Sequence, residues 1–407
     1  MPSDRPAWGV YTSSYNFAPA VTGGAKLPRK VKIHDVTLRD GEQQVRVTFR
    51  KEEKVRIARA LDEAGVDRIE AGMPSVTRSD LDAIKEIAHL GLDAKVYAFV
   101  RCTRSDVDAA LEAGVHGVTM EVPLSDRLVR YGYGWSEEKA MELAVDATAY
   151  AHSHGLKVRF FTVDSTRAGF GAISKLTRRV ATEGHMDSLV LADTFGVLKP
   201  EAVYYIVERM HLMLKKPIEI HAHNDFGLGV ANVIAAVKAG AEVAHVTVNG
   251  IGERTGNASL EETVMALRCL YGVRTNVRSE KLKGLSDLVS ELSRVPVPPQ
   301  KPIVGDDIFT IESGIIAGWW KRLEKRGMPL EMYPFLPASV GQRDVEVVLG
   351  KKSGKDSVLY KAEKLGLQID ESKVAELLSR VKRLALEKKR PLTDEEFTVL
   401  VRESQTR

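Results

Sequence analysis

Short, near-continuous apolar runs recur along the first two thirds of the chain, each separated from the next by a stretch whose apolar positions repeat with helical periodicity. The runs predict strands near residues 31–38, 66–73, 95–101, 117–123, 157–163, 188–194, 218–223 and 243–249. Apolar residues at successive rather than alternate positions are what a strand covered on both faces requires. Glycine punctuates the pattern. Glu63-Ala64-Gly65-Val66, His89-Leu90-Gly91-Leu92, Glu112-Ala113-Gly114-Val115, His154-Gly155-Leu156, Glu183-Gly184-His185 and Lys238-Ala239-Gly240-Ala241 each end a helical stretch as a glycine cap would. Eight strands alternating with amphipathic helices over about 250 residues predict an α/β fold, a parallel (β/α)8 TIM barrel. A doubly wound open sheet competes for the same pattern, but no Gly-X-Gly-X-X-Gly fingerprint follows an early strand.

The pattern changes near residue 296. Pro296-Val297-Pro298-Pro299 restricts the backbone as a linker would, and the remainder is mostly helical. Its tail, Glu371 to Glu403, is interrupted by Pro391-Leu392-Thr393-Asp394-Glu395-Glu396, a break followed by a capped restart. The expected organisation is an N-terminal arm over 1–29, a catalytic barrel over 30–295, and a linker with C-terminal subdomains over 296–407.

Composition narrows the classes of function. With 407 residues, 44% hydrophobic and 28% charged, the chain can bury one large domain and a smaller one. The net charge of +4 is mild, and its one basic cluster, Lys388-Lys389-Arg390, reads as a solvated helix end, so nucleic acid is not an expected partner. Two cysteines, Cys102 and Cys269, are too few for a disulfide framework, which makes a cytoplasmic location the default expectation. The first 27 residues lack the apolar core of a signal peptide and no stretch is suited to spanning a bilayer, so no membrane partner is expected either.

Two predicted strand ends carry metal-binding side chains. Asp40 follows strand one in His34-Asp35-Val36-Thr37-Leu38-Arg39-Asp40-Gly41-Glu42-Gln43, and His221 and His223 end strand seven in Ile220-His221-Ala222-His223-Asn224-Asp225. Residues two apart in a strand share a face, so both imidazoles can grip one ion. Taken singly, an Arg-Asp pair at a strand end is usually a solvated turn, and a His-X-His is often chance. Here both fall at C-terminal strand ends of one barrel, the face that carries chemistry. They form a candidate site for a divalent metal, Zn, Mn, Co or Mg, with positions open for substrate and the cation Arg39 alongside.

Thr37-Leu38-Arg39-Asp40-Gly41-Glu42-Gln43, His221-Ala222-His223-Asn224-Asp225 and Asn249-Gly250-Ile251-Gly252-Glu253-Arg254-Thr255-Gly256-Asn257 resemble the signatures of the DRE-TIM metallolyase superfamily. The resemblance is to its Claisen-condensing branch, the isopropylmalate, homocitrate and Re-citrate synthases, and runs from about residue 30 to the C-terminus. It implies a metal held by Asp40, His221 and His223 with Asn257 close by, a 2-keto acid chelating that metal, and acetyl-CoA as co-substrate. It also implies that Arg39 faces developing negative charge, that Gln43 and Glu42 contact substrate or support those that do, and that Thr194 in Ala192-Asp193-Thr194-Phe195-Gly196 touches substrate, unless its hydroxyl merely closes a turn. Glu253 either pairs with a neighbour or orients a water or base, and Arg254 with the loop amides could cradle an acyl-CoA.

Strand five, Val158-Arg159-Phe160-Phe161-Thr162-Val163-Asp164-Ser165, resembles the homocitrate synthase pattern Val-Arg-Phe-Ser-Ser-Glu-Asp-Ser. An inward Arg159 is a costly buried charge unless a carboxylate meets it. By the resemblance that carboxylate is the distal one of a dicarboxylic 2-keto acid; a protein carboxylate is the alternative. Arg101 is a second candidate for that clamp or for the CoA.

Departures matter as much. Val163 stands where the pattern has Glu, and Ile311-Glu312-Ser313-Gly314-Ile315-Ile316 replaces the His-Glu-Ser-Gly-Ile-His that helps the condensing enzymes deprotonate the acyl-CoA methyl. His245, Glu312, Tyr333 and Asp164 are the titratable candidates for that duty. Two readings follow: a metal-dependent acyl-CoA:2-oxo-acid transferase, and a carbon–carbon lyase of the hydroxymethylglutaryl-CoA lyase kind; a non-catalytic relative trails. A homodimer is expected, with Ile315-Ile316-Ala317-Gly318-Trp319-Trp320 either its contact or a core patch.

Overall fold

The computed structural model describes residues 9–22 and 27–405. One compact unit spans Ser14–Val297, and a second joins the chain from Pro298 onward with the stretch ending at Ser13.

The first unit is a closed parallel barrel of eight strands: β1 (Lys32–Asp35), β2 (Arg68–Glu70), β3 (Lys95–Arg101), β4 (Gly117–Pro123), β5 (Lys157–Val163), β6 (Ser188–Asp193), β7 (Ile218–Ala222) and β8 (Val243–Val246). Each strand pairs with the next, and β8 closes the barrel on β1, Lys32 opposite Val243 through Asp35 opposite Val246. Helices cover the outside. In Lys51–Ala64, for instance, Val55, Ile57, Ala58, Leu61 and Ala64 are buried, the stripe of an amphipathic helix. That helix ends at Gly65, whose φ of 85° is left-handed and where a Cβ would lie 2.6 Å from the Asn276 carbonyl oxygen. Gly184 differs from the expected cap, with φ of −104°; it is small because a Cβ there would meet Thr148 Oγ1 at 2.4 Å.

β1, β2 and β8 are shorter than their apolar runs by more than a residue, and the reason is local. After Asp35 the run Val36–Leu38 stays buried but turns, because the amides of Arg39, Asp40 and Gly41 all donate to the Val36 carbonyl. The Asp35 carboxylate accepts from the Thr37 amide at 2.9 Å and its hydroxyl at 3.0 Å, competing with strand pairing. β2 gives way at Gly72, φ 140°, and after β8 the chain turns through Asn249, φ 61°.

The second unit contains a two-stranded parallel pair, Thr310–Ile311 with Glu346–Val347, and the helices Gly314–Glu324, Lys355–Lys364, Val374–Lys388 and Asp394–Gln405. Its cores gather Val358, Leu377, Val381, Phe397 and Leu400, and Ile311, Trp320 and Tyr360. The expected arm divides between the units: Val10 bridges Phe335, whereas Ser14–Phe17 and Pro19–Thr22 are short helices of the first unit. Residues 1–8 and 23–26 of that arm lie outside the described ones. Within the apolar run of the helix Gly314–Glu324, Trp320 is buried and donates to Tyr360 Oη at 3.0 Å, whereas Ile315 and Trp319 are 70% and 50% exposed. Among the described residues no helix is long and apolar enough to cross a membrane.

Candidate metal centre and active site

Asp40, His221 and His223 converge, all buried. The two Nε2 atoms lie 3.2 Å apart, and Asp40 Oδ2 is 3.6 Å from the first and 3.8 Å from the second. Four ligands about 2.1 Å from a tetrahedral ion would stand about 3.4 Å from one another, so these three donors fit one. Asn257 completes the group. Its Nδ2 donates to Asp40 Oδ1 at 2.7 Å, which leaves Oδ1 of the amide buried without a partner among the described residues. Burial drives both imidazoles toward the neutral form that offers a lone pair. Burial would also raise the Asp40 carboxyl, but the Arg39 guanidinium and the two imidazoles outweigh it and hold it well below the usual carboxylate range. The Gly-rich segment supplies the space: at Gly252, φ 154°, a Cβ would meet Asn257 Nδ2 at 2.2 Å and Asp40 Oδ1 at 2.6 Å.

Arg39 is clamped beside this centre. Its Nη1 donates to Asp40 Oδ2 at 2.7 Å and its Nε to Glu70 Oε1 at 2.6 Å, and its guanidinium stacks over Phe99, 4.1 Å from the ring centroid. Nη2 has no partner among the described residues, so one N–H pair remains for another group. Below, polar contacts continue down the barrel: Glu70 to His34 at 3.3 Å, His34 against His245 at 4.4 Å between centroids, His245 to Glu219 at 2.9 Å. Glu219 also accepts from Arg159 at 3.1 Å, Arg68 at 2.9 Å and Ser188 at 2.6 Å. Sequence reasoning missed Glu70, His34 and Glu219. Their signal was there, as ionisable residues inside otherwise apolar strand runs, which are expensive to bury unless paired.

Several expected site residues are occupied otherwise. Arg159 meets a protein carboxylate, Glu219, the alternative open from sequence, and its guanidinium lies 3.2 Å from the centroid of Tyr97. Phe161, the next residue of β5 on the same face, lies on the His221 side of it, its ring 5.2 Å from that of His221 and 5.4 Å from that of Phe99. Asp164 is consumed by structure, its carboxylate bound by Ser125 Oγ and by Arg167 at 2.7 and 2.8 Å. Thr194 links the ends of two strands, its hydroxyl accepting from the Asp164 amide after β5 at 2.8 Å. Arg101 is paired with Asp106, and its side chain is 55% exposed. Glu253 offers Asp40 its backbone amide, at 3.3 Å, rather than its carboxylate. Gln43 stands at the long limit of contact with Arg39, 3.5 Å, and Glu42 binds Lys54 at 2.6 Å and the Phe49 amide at 2.8 Å. Arg254 forks onto Asp225 at 2.9 Å. In the second unit Glu312 is tied to Lys352 at 2.7 Å, and burial pushes the Tyr333 hydroxyl up to about 12.

A closed parallel barrel with a candidate His2Asp metal site and a clamped arginine at its C-terminal strand ends has the architecture of a barrel enzyme. Residues 30–289 match the HMGL-like family, and residues 303–389 match the homocitrate synthase post-HMGL domain-like family. A probable 2-isopropylmalate synthase of Methanopyrus kandleri is 43% identical over 88% of this chain and 70% of its own length. A putative (R)-citramalate synthase CimA of Archaeoglobus fulgidus is 43% identical over 91% and 75%, and the homocitrate synthase AksA of Methanopyrus kandleri 42% over 92% and 93%. In structure, the HMG-CoA lyase of Bacillus subtilis overlays 67% of this chain and 96% of its own with a TM-score of 0.62 at 23% identity, a likeness of fold. The chain belongs to the HMGL-like family, in the Claisen-condensing branch of the DRE-TIM metallolyases, and is an acyltransferase of that branch.

Proposed function

We propose that the protein condenses acetyl-CoA with a monocarboxylic 2-oxo acid whose side chain is small and apolar. The methyl carbon of the acetyl group would bond to the keto carbon, and hydrolysis of the thioester would release CoA. A divalent ion held by Asp40, His221 and His223, with Asn257 beside it, would supply Lewis acidity to the keto oxygen. Arg39, fixed by Asp40 and Glu70, keeps its free Nη2 for the oxygen on which negative charge develops.

The side-chain class rests on one observation: Arg159, the cation that a second substrate carboxylate would need, is paired with Glu219 beneath Phe161. Phe161, whose ring abuts His221, belongs to an apolar cluster with Phe99, Val190 and Ala192, Met73 and Val163 packed against it. Relatives named isopropylmalate and citramalate synthases support this reading, and the one named homocitrate synthase supports the dicarboxylic one. CoA release, followed with acetyl-CoA and a panel of 2-oxo acids, tests it. Turnover of pyruvate, 2-oxobutyrate or 2-oxoisovalerate well above that of 2-oxoglutarate and oxaloacetate is expected; the reverse order overturns it. We also infer a homodimer, consistent with the exposed Ile315 and Trp319, which sedimentation at micromolar concentration checks.

A further inference from the structure

Condensation needs a base for the acetyl methyl, and residues 311–316 supply no imidazole. Of the candidates named from sequence, Asp164 is bound by Ser125 and Arg167, His245 by Glu219 and Glu312 by Lys352. We propose that Glu121 is this base, an inference that rests on the condensation reading above.

Glu121 stands near the C-terminal end of β4, the chemical face of the barrel. Thr119 and Glu121 share one face of the strand; Thr119 lies opposite Arg159 and Glu121 opposite Phe161, whose ring abuts His221. That face is the barrel interior. On its other side Glu121 lies opposite Arg101 of β3, and it is within the field of Arg39. Neither guanidinium binds it, because Arg101 is forked onto Asp106 and Arg39 onto Asp40 and Glu70. No hydrogen bond or ion pair reaches the Glu121 carboxylate among the described residues, although it is only partly exposed. A half-buried carboxylate with no partner, next to an arginine whose Nη2 also has none, is the pair of groups that enolate formation requires: an acceptor for the proton and a fixed cation for the oxygen.

Other charged groups nearby do not compete. Burial raises the Glu121 carboxyl against the pull of Arg39 and Arg101, making it a better base than an exposed carboxylate. Burial first pushes Tyr133 up to about 12 and raises the Cys102 thiol far above its ordinary value, so both stay neutral. Asp106, held down by Arg101, stays ionised.

In the step itself the methyl C–H breaks and an O–H forms on Glu121, while the C–H electron pair moves into the enolate, with charge on the thioester oxygen facing Arg39. The enolate carbon then bonds to the keto carbon, whose π pair moves onto the keto oxygen, and the proton on Glu121 is available to that alkoxide. Water completes thioester hydrolysis.

Glu121→Gln keeps the size and removes the base. It should lower kcat by about 10²-fold or more while leaving metal content, melting temperature and calorimetric affinity for the 2-oxo acid as in the wild type. Glu121→Asp should retain measurable turnover with the acid limb of its kcat/KM profile displaced, and that limb should vanish in Glu121→Gln. A Glu121→Gln enzyme with wild-type kcat, or one that loses 2-oxo-acid affinity in proportion to kcat, overturns the assignment of Glu121 alone. A wild type that releases no CoA with any 2-oxo acid overturns the condensation reading as well.

Discussion

The Nε of Arg39 and the Oε1 of Glu70 meet at 2.6 Å, with both side chains buried. Glu70 thereby fixes the plane of the guanidinium while Nη1 holds Asp40. An ammonium has no such fork and would satisfy one carboxylate at the expense of the other. Arg39→Lys should therefore lose about 10²–10³-fold in kcat/KM while the metal stays bound, and elemental analysis beside steady-state kinetics decides it. Loss of the metal together with activity would mean that Arg39 only organises Asp40.

Removing the ion should be visible without turnover. A ligand that binds only the folded state at about 100 times its Kd adds about 2.7 kcal/mol, so the metal-loaded protein should melt above the chelated one. Asp40→Ala and His223→Ala should abolish that increment and the activity while circular dichroism still reports a folded barrel. Gly252→Ala should weaken it too, because its Cβ would be driven into Asn257 and Asp40. An increment preserved in all three would place the metal elsewhere.

The acid limb of stability has a definite sign. Burial lowers His34 to about 3 and also depresses His221 and His223, whereas in the unfolded chain each titrates near 6.5. Below that value the unfolded chain takes up protons that the folded one refuses, so stability is present above pH 6.5 or so and falls as pH drops from there toward 3. Asp35 opposes this: burial raises it to about 7, so between there and its ordinary 3.8 the folded state holds the extra proton and gains stability as pH falls. Glu121, also raised by burial, opposes it in the same sense, but the three buried imidazoles outnumber these two carboxyls and leave acid destabilisation as the net outcome. Denaturant unfolding of the metal-free protein at about pH 7.5 and about pH 5 measures it, and His34→Gln should flatten the slope. An unchanged slope in that variant would show that His34 is already protonated in the native barrel.

How much of this was legible depends on whether the signal is local. The runs 95–101, 117–123 and 157–163 coincide with β3, β4 and β5 because buried strands write their length directly into consecutive apolar residues. The convergence of Asp40 with His221 and His223 was legible as well, since barrel topology alone brings the ends of strands one and seven to one face. The partner of Arg159 was not. Glu219 is 60 residues away on a strand that does not pair with β5, and only the stagger of a closed barrel decides that these two inward side chains meet at one height. Glu121 was overlooked for a related reason: in sequence it is one acid in an apolar strand, and what distinguishes it is that the cations around it are already taken.

Substrate selectivity is the sharpest consequence of the layering on β5. Arg159 and Phe161 point the same way, Phe161 nearer His221, and Nη1 of Arg159 is buried without a partner among the described residues. Phe161→Ser would remove the ring that separates this nitrogen from the active face, at a cost in stability of about 3–5 kcal/mol by analogy with other large-to-small core changes. A second substrate carboxylate could then approach Arg159 in place of an aliphatic side chain, and charge-assisted pairing in a dry site is strong enough to invert a preference. Relative to 2-oxoisovalerate, kcat/KM for 2-oxoglutarate should rise by at least about 10-fold, or roughly 1.4 kcal/mol. Combining Phe161→Ser with Arg159→Met should erase the gain, because Arg159 is its source. Competition assays with both acids in one vessel read the ratio directly. A gain that survives the second substitution, or a Phe161→Ser enzyme that still prefers the aliphatic acid, would show that selectivity is set by residues other than this pair.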